Sequence, residues 1–335
     1  MTYKSSLVIA LCLCVHTQII SQTVSEESLE EVVVSDSRFE LKRENSGKTV
    51  IKISQKEIQN NQGRTISELI SAKSGIEING SRSNAGQNLG IYVRGGRSRQ
   101  VLVLIDGVQV SDPSLISGEY DFRLLDLNQI ESIEIIKGAS STLYGSGAAS
   151  AVINITSKSA DSKKMSTVFS TSLGTNQIAT DQSDDIADIN SNVAFSGTLK
   201  KFTYSAGFSN QSTDGLSAVI TEANEKDAFS KYAVNTGFGY NFSNAFSLHI
   251  YGNYSDTKSD IDGYDSNFNL ADTSDEFNIT QSRVGLTSEF KYTNGSLNLN
   301  AAFSEYDREF VSSFPSTFKS KNAVLDVYNK YIFNA

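Results

Sequence analysis

Tyr232-Ala233-Val234-Asn235-Thr236-Gly237-Phe238-Gly239-Tyr240-Asn241-Phe242 sets Tyr232, Val234, Thr236, Phe238, Tyr240 and Phe242 at every second position, with small or polar residues between them. A period of two is the mark of a β-strand with one apolar face. The alternation recurs in Phe202, Tyr204, Ala206 and Phe208, and again in Phe246, Leu248 and Ile250 with Tyr254. About eight such strands are expected, near 166–173, 189–199, 202–209, 231–242, 246–254, 279–292, 296–306 and 323–333. Their connections alternate in length: short at Lys200-Lys201, Ser243-Asn244-Ala245 and Thr293-Asn294-Gly295, and long between the first two strands and at 210–230, 255–278 and 307–322. Short turns at one rim and long loops at the other are the layout of a membrane β-barrel, an asymmetry that a soluble sandwich does not need. Beyond the N-terminus no apolar stretch approaches a membrane helix in length, and a barrel needs only about 10 residues per crossing.

The 335 residues are 39% apolar and 20% charged, a globular composition with room for about two domains. Residues 1–22 read as a secretory signal peptide, with Lys4 ahead of an apolar run from Leu7 to Val15 and cleavage near Ser21–Gln22. A lipid anchor would need a small residue before Cys12 or Cys14, where Leu11 and Leu13 stand. Removing the signal takes away both cysteines and His16 and leaves His249 alone, which excludes a Cys/His zinc site, a cysteine nucleophile and a disulfide framework. Loss of Lys4 moves the formal net charge of −9 one unit further negative, against phosphate binding over the whole surface. His249 sits at an alternating strand position, and no carboxylate or serine constellation stands out, so no enzyme activity is expected.

Residues 23–42 form a polar, acidic tail with one apolar run, Val32-Val33-Val34. That run is either an ordinary first strand or an extended segment able to add itself to another protein's sheet edge. Residues 43–160 read as a compact α/β domain. Strands are expected at Thr49–Ile53, Ile91–Arg94, Val101–Ile105, Val108–Val110, Ser132–Ile136 and Ala151–Ile155. Ser54 with Glu57 and Thr65 with Glu68 resemble helix capping boxes, and Asp106-Gly107 signals a tight hairpin. The turns at Gly95-Gly96 and Gly145-Ser146-Gly147 lack the frame of a phosphate loop. Eight strands close around their own side chains and leave no space for this domain. Either it lies outside in the periplasm or the chain is the front part of a larger barrel, and the ending Tyr331-Ile332-Phe333-Asn334-Ala335, in or just after a strand, favours truncation.

Several stretches together resemble the plug of a TonB-dependent outer-membrane receptor, nearest the cobalamin transporter branch. They are Tyr92-Val93-Arg94-Gly95-Gly96, Val101 to Val108, Ile130 to Gly138, Ser141-Thr142-Leu143-Tyr144-Gly145-Ser146-Gly147-Ala148 and Val152-Ile153-Asn154-Ile155, in the family's order. The fold class implied is an α+β plug domain followed by the first part of an antiparallel transmembrane β-barrel of about 22 strands. The division is 1–22 signal peptide, 23–42 periplasmic tail, 43–160 plug and 161–335 the N-terminal part of the barrel.

The resemblance makes Glu30, Glu31, Val32, Val33, Val34, Ser35 and Asp36 the TonB box, with Glu31 and Asp36 standing where the family has a threonine and an alanine. The partners implied are TonB with its inner-membrane energy complex, outer-membrane lipid and a bulky small-molecule ligand such as cobalamin or a ferric siderophore, in the outer membrane of a Gram-negative bacterium. Arg82, Arg97 and Arg99 at the plug apex either contact an anionic ligand or are solvated. Arg94 either bridges plug to wall or contacts ligand, and Gly95, Asp106, Gly107, Gly138, Tyr144 and Gly145 are structural plug positions. Asp256, Asp260, Asp262 and Asp265 either bind calcium in an outer loop or form a solvated acidic loop. The alternative function is a surface adhesin that uses the same barrel without energised transport.

Overall fold

The computed structural model describes residues 32–33, 38, 41–42, 45–61, 64–79, 86, 89–177, 182–216, 219 and 226–333. The expected signal peptide, 1–22, and most of the expected tail, 23–42, lie outside these residues. A short hairpin comes first, β1 (Val32–Val33) antiparallel to β2 (Leu41–Lys42).

The next unit is built on a five-stranded sheet. Its strands are β3 (Thr49–Ile53), β6 (Val101–Ile105), β7 (Val108–Val110), β8 (Ile130–Lys137) and β9 (Ala151–Ser157), in the order β3-β8-β9-β6-β7, with β6 and β9 parallel. All five residues of β6 are buried, because both faces of the sheet are covered. Val101, Val103 and Ile105 enter a large core with α1 (Gln55–Gln59), α2 (Ile66–Ser71) and the hairpin of β4 (Ile76–Asn79) with β5 (Gly90–Val93). Leu102 and Leu104 enter a smaller one with Val50 and with Tyr144 of α3 (Ser141–Tyr144).

Local chemistry sets the element ends. Thr65 and Glu68 complete a reciprocal capping box at α2, with Thr65 N to Glu68 Oε2 at 2.7 Å and Glu68 N to Thr65 Oγ1 at 3.2 Å. Only half the box forms at α1: Ser54 Oγ accepts from Glu57 N, while the Glu57 carboxylate pairs with Lys73 instead. Asp106 (φ 52°) and Gly107 (φ 76°) make the left-handed pair that a two-residue hairpin requires, and Asp106 Oδ1 also accepts from Ser157 N at 2.8 Å. Strand β4 was not among the expected strands; Ile76-Glu77-Ile78-Asn79 alternates for only two periods.

Residues 166–331 form a wall of eight consecutive antiparallel strands: β10 (Ser166–Gly174), β11 (Asp188–Leu199), β12 (Phe202–Thr213), β13 (Phe229–Asn241), β14 (Phe246–Tyr264), β15 (Leu270–Tyr292), β16 (Gly295–Val311) and β17 (Ser316–Tyr331). The sheet is open, with β10 and β17 at its edges. The aromatic stripes point outward, Tyr232, Phe238, Tyr240, Ile250, Tyr254, Val284, Phe290, Leu297 and Phe303 all being exposed. Tyr232 to Phe242 spans about 33 Å of extended chain, or about 25 Å of depth at a barrel strand's usual tilt, which matches a lipid-facing band. Above Tyr254 the outward residues turn charged, and cross-strand pairs appear: Lys258–Glu276, Lys319–Asp307 and Lys321–Glu305.

Residues 255–278 and 307–322 are therefore not the loops expected. Strand β14 continues to Tyr264 and β15 begins at Leu270, while β16 continues to Val311 and β17 begins at Ser316. Above the lipid band both faces of a strand meet polar surroundings, so the apolar alternation ends while the ladder of backbone bonds goes on.

Candidate functional site at the seam between plug and wall

The inner face of the wall packs directly on the five-stranded unit. Ile279 of β15 and Tyr306 of β16 belong to the same buried core cluster as the sheet, with Phe277 against it. Next to this contact lies a buried ionic network. Arg308 on β16 is 1% exposed, and Asp112 and Asp121, on the segment after β7, are 0% and 1% exposed. Arg308 donates from Nε and Nη2 to Asp112 Oδ2 at 2.9 and 2.6 Å, from Nε to Ser114 Oγ at 2.9 Å, and from Nη1 and Nη2 to Asp121 Oδ2 at 3.3 Å. Arg123 closes on Asp121 from the other side, Nε to Oδ1 at 2.9 Å and Nη2 to Oδ2 at 2.7 Å. Two aspartates and two arginines balance in charge, and the Phe277 ring lies within 5.6 and 5.8 Å of the Arg123 and Arg308 guanidiniums. Burial alone would raise the Asp121 carboxyl, but the Arg123 and Arg308 guanidiniums overcome it and hold it down to about 2. Ser320 and Asn322 of β17 add bonds to Asp112 Oδ1 and to Ser111.

A second tie joins the N-terminal hairpin to both units. Arg38, in the left-handed conformation (φ 61°) between β1 and β2, donates from Nη1 to Asp326 Oδ2 of β17 at 2.7 Å. Its guanidinium lies 4.7 Å from the Tyr144 ring of the plug and 4.8 Å from the Tyr328 ring of the wall. One side chain thus touches tail, plug and wall. Tyr144, singled out as structural, proves to be one side of this clamp.

The other residues named from sequence are placed as follows. Of the residues expected to form a TonB box, Val32 and Val33 are paired with Lys42 and Leu41; Glu30, Glu31, Val34, Ser35 and Asp36 lie outside the described residues, as does Arg82. Arg94 does not reach the wall: it donates from Nη1 to Lys137 O at 3.4 Å and from Nη2 to Thr49 Oγ1 at 3.3 Å, within the plug. Arg97 and Arg99 are exposed and follow β5. Gly95, Gly138 and Gly145 occupy positive-φ turns (77°, 121° and 81°).

The four aspartates proposed for calcium are not brought together. Asp256 accepts from Thr280 Oγ1, Asp262 from Val219 N, and Asp265 from Asn267 and Asn269 in its own turn. Among the described residues no group of three or more His, Cys, Asp or Glu side chains is placed to hold a metal ion. Sequence reading missed Arg308, Asp112, Asp121 and Arg38; an arginine among the small inward residues of β16 is the one signal that could have found the network.

Residues 42–152 match the family model described as the TonB-dependent Receptor Plug Domain. The vitamin B12 transporter BtuB of Vibrio cholerae serotype O1 is 36% identical over 173 residues, 51% of this chain and 27% of that protein. That of Vibrio vulnificus is 29% identical over 254 residues, 73% of this chain and 39% of that protein. The ferric yersiniabactin uptake receptor FyuA of Yersinia pestis superposes with a TM-score of 0.66 at 18% identity, covering 86% of this chain and 46% of that one. The ferripyoverdine receptor of Pseudomonas aeruginosa gives a TM-score of 0.68 at 16% identity, covering 89% and 42%. The chain spans 27% to 39% of the length of these curated relatives, which are transporters. Residues 42–152 therefore match a TonB-dependent receptor plug, and the chain as a whole is similar to the first part of the vitamin B12 transporters and shares the plug-and-wall fold of the siderophore receptors.

Proposed function

We propose that this protein imports a scarce, bulky nutrient of the vitamin B12 or ferric-siderophore class through a plugged barrel, with TonB supplying the pull. The observation that carries this is the way the N-terminal strand is held. Val32 and Val33 make only two rungs with Leu41 and Lys42, a ladder far too short to be stable alone, and Arg38 clamps the hairpin to Asp326, Tyr144 and Tyr328. A strand so weakly paired can be transferred to another protein's sheet edge once the clamp lets go.

The parts then have distinct tasks. Residues 1–22 direct export, 23–42 carry the coupling strand at Glu30–Asp36, 43–160 close the pore and 161–335 begin the barrel. Ligand contact falls to the stretch between β4 and β5, which includes Arg82 and whose Gly86 abuts Ser259 above the lipid band. Ligand bound there must favour the state with the hairpin released; only a difference in affinity between docked and released states can shift the balance. TonB then pairs with the freed strand and pulls on the plug, while the Arg308 network and the Ile279–Tyr306 contact keep the plug's far side on the wall. No observation favours the adhesin alternative.

The test is uptake of radiolabelled vitamin B12 and of ferric enterobactin by cells producing the full-length protein or its Val33→Pro variant, with surface binding measured in parallel. Proline removes a backbone donor from the coupling strand. Uptake of one ligand that collapses in the variant with binding intact supports the proposal; uptake of neither, or equal uptake in both, refutes it.

A further inference from the structure

The two sides of the plug–wall seam differ in chemistry. Where Ile279, Tyr306 and Arg308 of β15 and β16 meet the plug, the contact is apolar and ionic: Ile279 and Tyr306 merge with the plug core, and Arg308 is fully engaged by Asp112, Ser114 and Asp121. The neighbouring strand β14 turns Ser247, His249, Tyr251, Asn253, Ser255, Thr257 and Ser259 inward, without an aliphatic side chain among them. Along one row of the sheet, Thr257, Ile279 and Arg308 stand side by side, so the change from hydroxyl to apolar to ionic takes just three strands.

Several of these inward groups are buried without a partner. Ser255, Thr257 and Ser259 are at most 3% exposed, and their hydroxyl oxygens have no hydrogen-bond partner among the described residues. The same holds for Asn192 Oδ1, Asn235 Nδ2 and two nitrogens of the buried Arg283, Nε and Nη1. The third, Nη2, donates to Tyr251 at 3.2 Å. Left dry, seven such polar atoms would cost as much as the whole folding stability of a domain, so they require buried water. They occupy adjacent rows: Ser259, then Thr257, then Ser255 with Asn192, then Asn235 with Arg283. At the top of the strip Gly86 of the plug presses on Ser259. Below Tyr251, at the short-turn rim, lies a cavity of about 400 Å³ lined by Thr203, Asn241, Ser247, His249, Glu289 and Asn300 among others.

We infer that the ligand's route runs between the plug and the inner face of β13 and β14, along a strip of buried water that reaches Asn192 of β11 and Arg283 of β15, while the Ile279, Tyr306 and Arg308 contacts stay attached as the fixed edge. The route rests on the import reading; the hydrated strip does not. Water-bridged contacts exchange readily, whereas separating Ile279 and Tyr306 from the plug core would expose apolar surface. A strip of hydroxyls and amides with one guanidinium suits a polar ligand that carries amide or carboxylate groups.

Single cysteines test this in the full-length protein with every native cysteine changed to serine, Cys12 and Cys14 among them. Ser255→Cys, Thr257→Cys and Ser259→Cys are compared with the equally buried Ile279→Cys for reaction with a small water-soluble methanethiosulfonate, without ligand. The strip cysteines are expected to react at least about tenfold faster, since water already reaches them without local opening. Equal, slow reaction at all four sites shows a dry seam and overturns the inference. The route is then read from a bulky maleimide adduct at Thr257→Cys. Uptake lost on labelling, with surface binding kept, supports it, and uptake unchanged by the adduct overturns it. If unlabelled Thr257→Cys cells and native cells alike take up neither vitamin B12 nor ferric enterobactin, the import reading fails, and the hydrated strip is decided by reactivity alone.

Discussion

Replacing Arg308 with methionine removes the cation that holds Asp112 in the plug–wall seam. Asp121 keeps Arg123, but Asp112 keeps only the Ser114 and Ser320 hydrogen bonds around a fully buried carboxylate. Breaking one partner out of a buried ion pair costs about 3 to 5 kcal/mol, mostly the penalty of the charge left behind. The open state of the segment 111–123 should rise about 200- to 5,000-fold in population, a change read as faster protease cleavage there in the full-length protein in detergent micelles. Adding Asp112→Asn should restore most of the protection, because the stranded charge is gone. Lys319→Met, which breaks an exposed pair with Asp307, should change nothing measurable. If Arg308→Met is cleaved no faster than Lys319→Met, or if Asp112→Asn fails to rescue it, the network does not hold the plug to the wall.

Three further outcomes are expected. Arg38→Ala, or Asp326→Asn, loosens a half-buried clamp by about 1 kcal/mol and should raise ligand-free mobility of a spin label in the N-terminal hairpin several-fold; an unchanged spectrum would show that Arg38 does not retain the hairpin. Because the Asp121 carboxyl is depressed to about 2, its pairing stabilises the docked plug at every pH above the ordinary carboxylate range and is lost only as pH falls towards about 2. Protease protection of 111–123 should therefore be flat from pH 7 to 4, and a midpoint within that interval would contradict the assignment. Thr65→Ala, which breaks the reciprocal box at α2, should cost the plug about 1 kcal/mol in denaturant unfolding, against no effect for the exposed Glu77→Gln.

The barrel wall was legible because lipid selects on one face only: in Phe202 to Phe208, Tyr232 to Tyr240 and Phe246 to Tyr254 most outward positions are apolar, and a period of two survives. Where that selection ends, at Asp256 and Glu305, the strands continue and the pattern does not, so the tall hairpins of β14 with β15 and of β16 with β17 looked like loops. The plug's turns were legible because Asp106-Gly107 and Thr65 to Glu68 carry their chemistry within four residues. The seam was not. Asp112, Asp121 and Arg308 are separated by up to 196 positions, and nothing local to any of them signals the other two. Arg38 likewise meets Asp326 across 288 positions. The acidic run 256–276 misled in the opposite way, because carboxylates dense in sequence are spread along a hairpin whose alternate residues face opposite sides.

The central claim is that the strand around Val33 is held back by Arg38 and handed to TonB when ligand binds. Its most direct measurement is the affinity of the periplasmic domain of TonB for the full-length protein in micelles, with and without the ligand that cells take up. It should be measured for the native sequence, for Arg38→Ala and for Val33→Pro. The account predicts that ligand strengthens binding to the native protein, that Arg38→Ala binds strongly even without ligand, and that Val33→Pro binds weakly in either case. Equal affinity in all three proteins, indifferent to ligand, would contradict it.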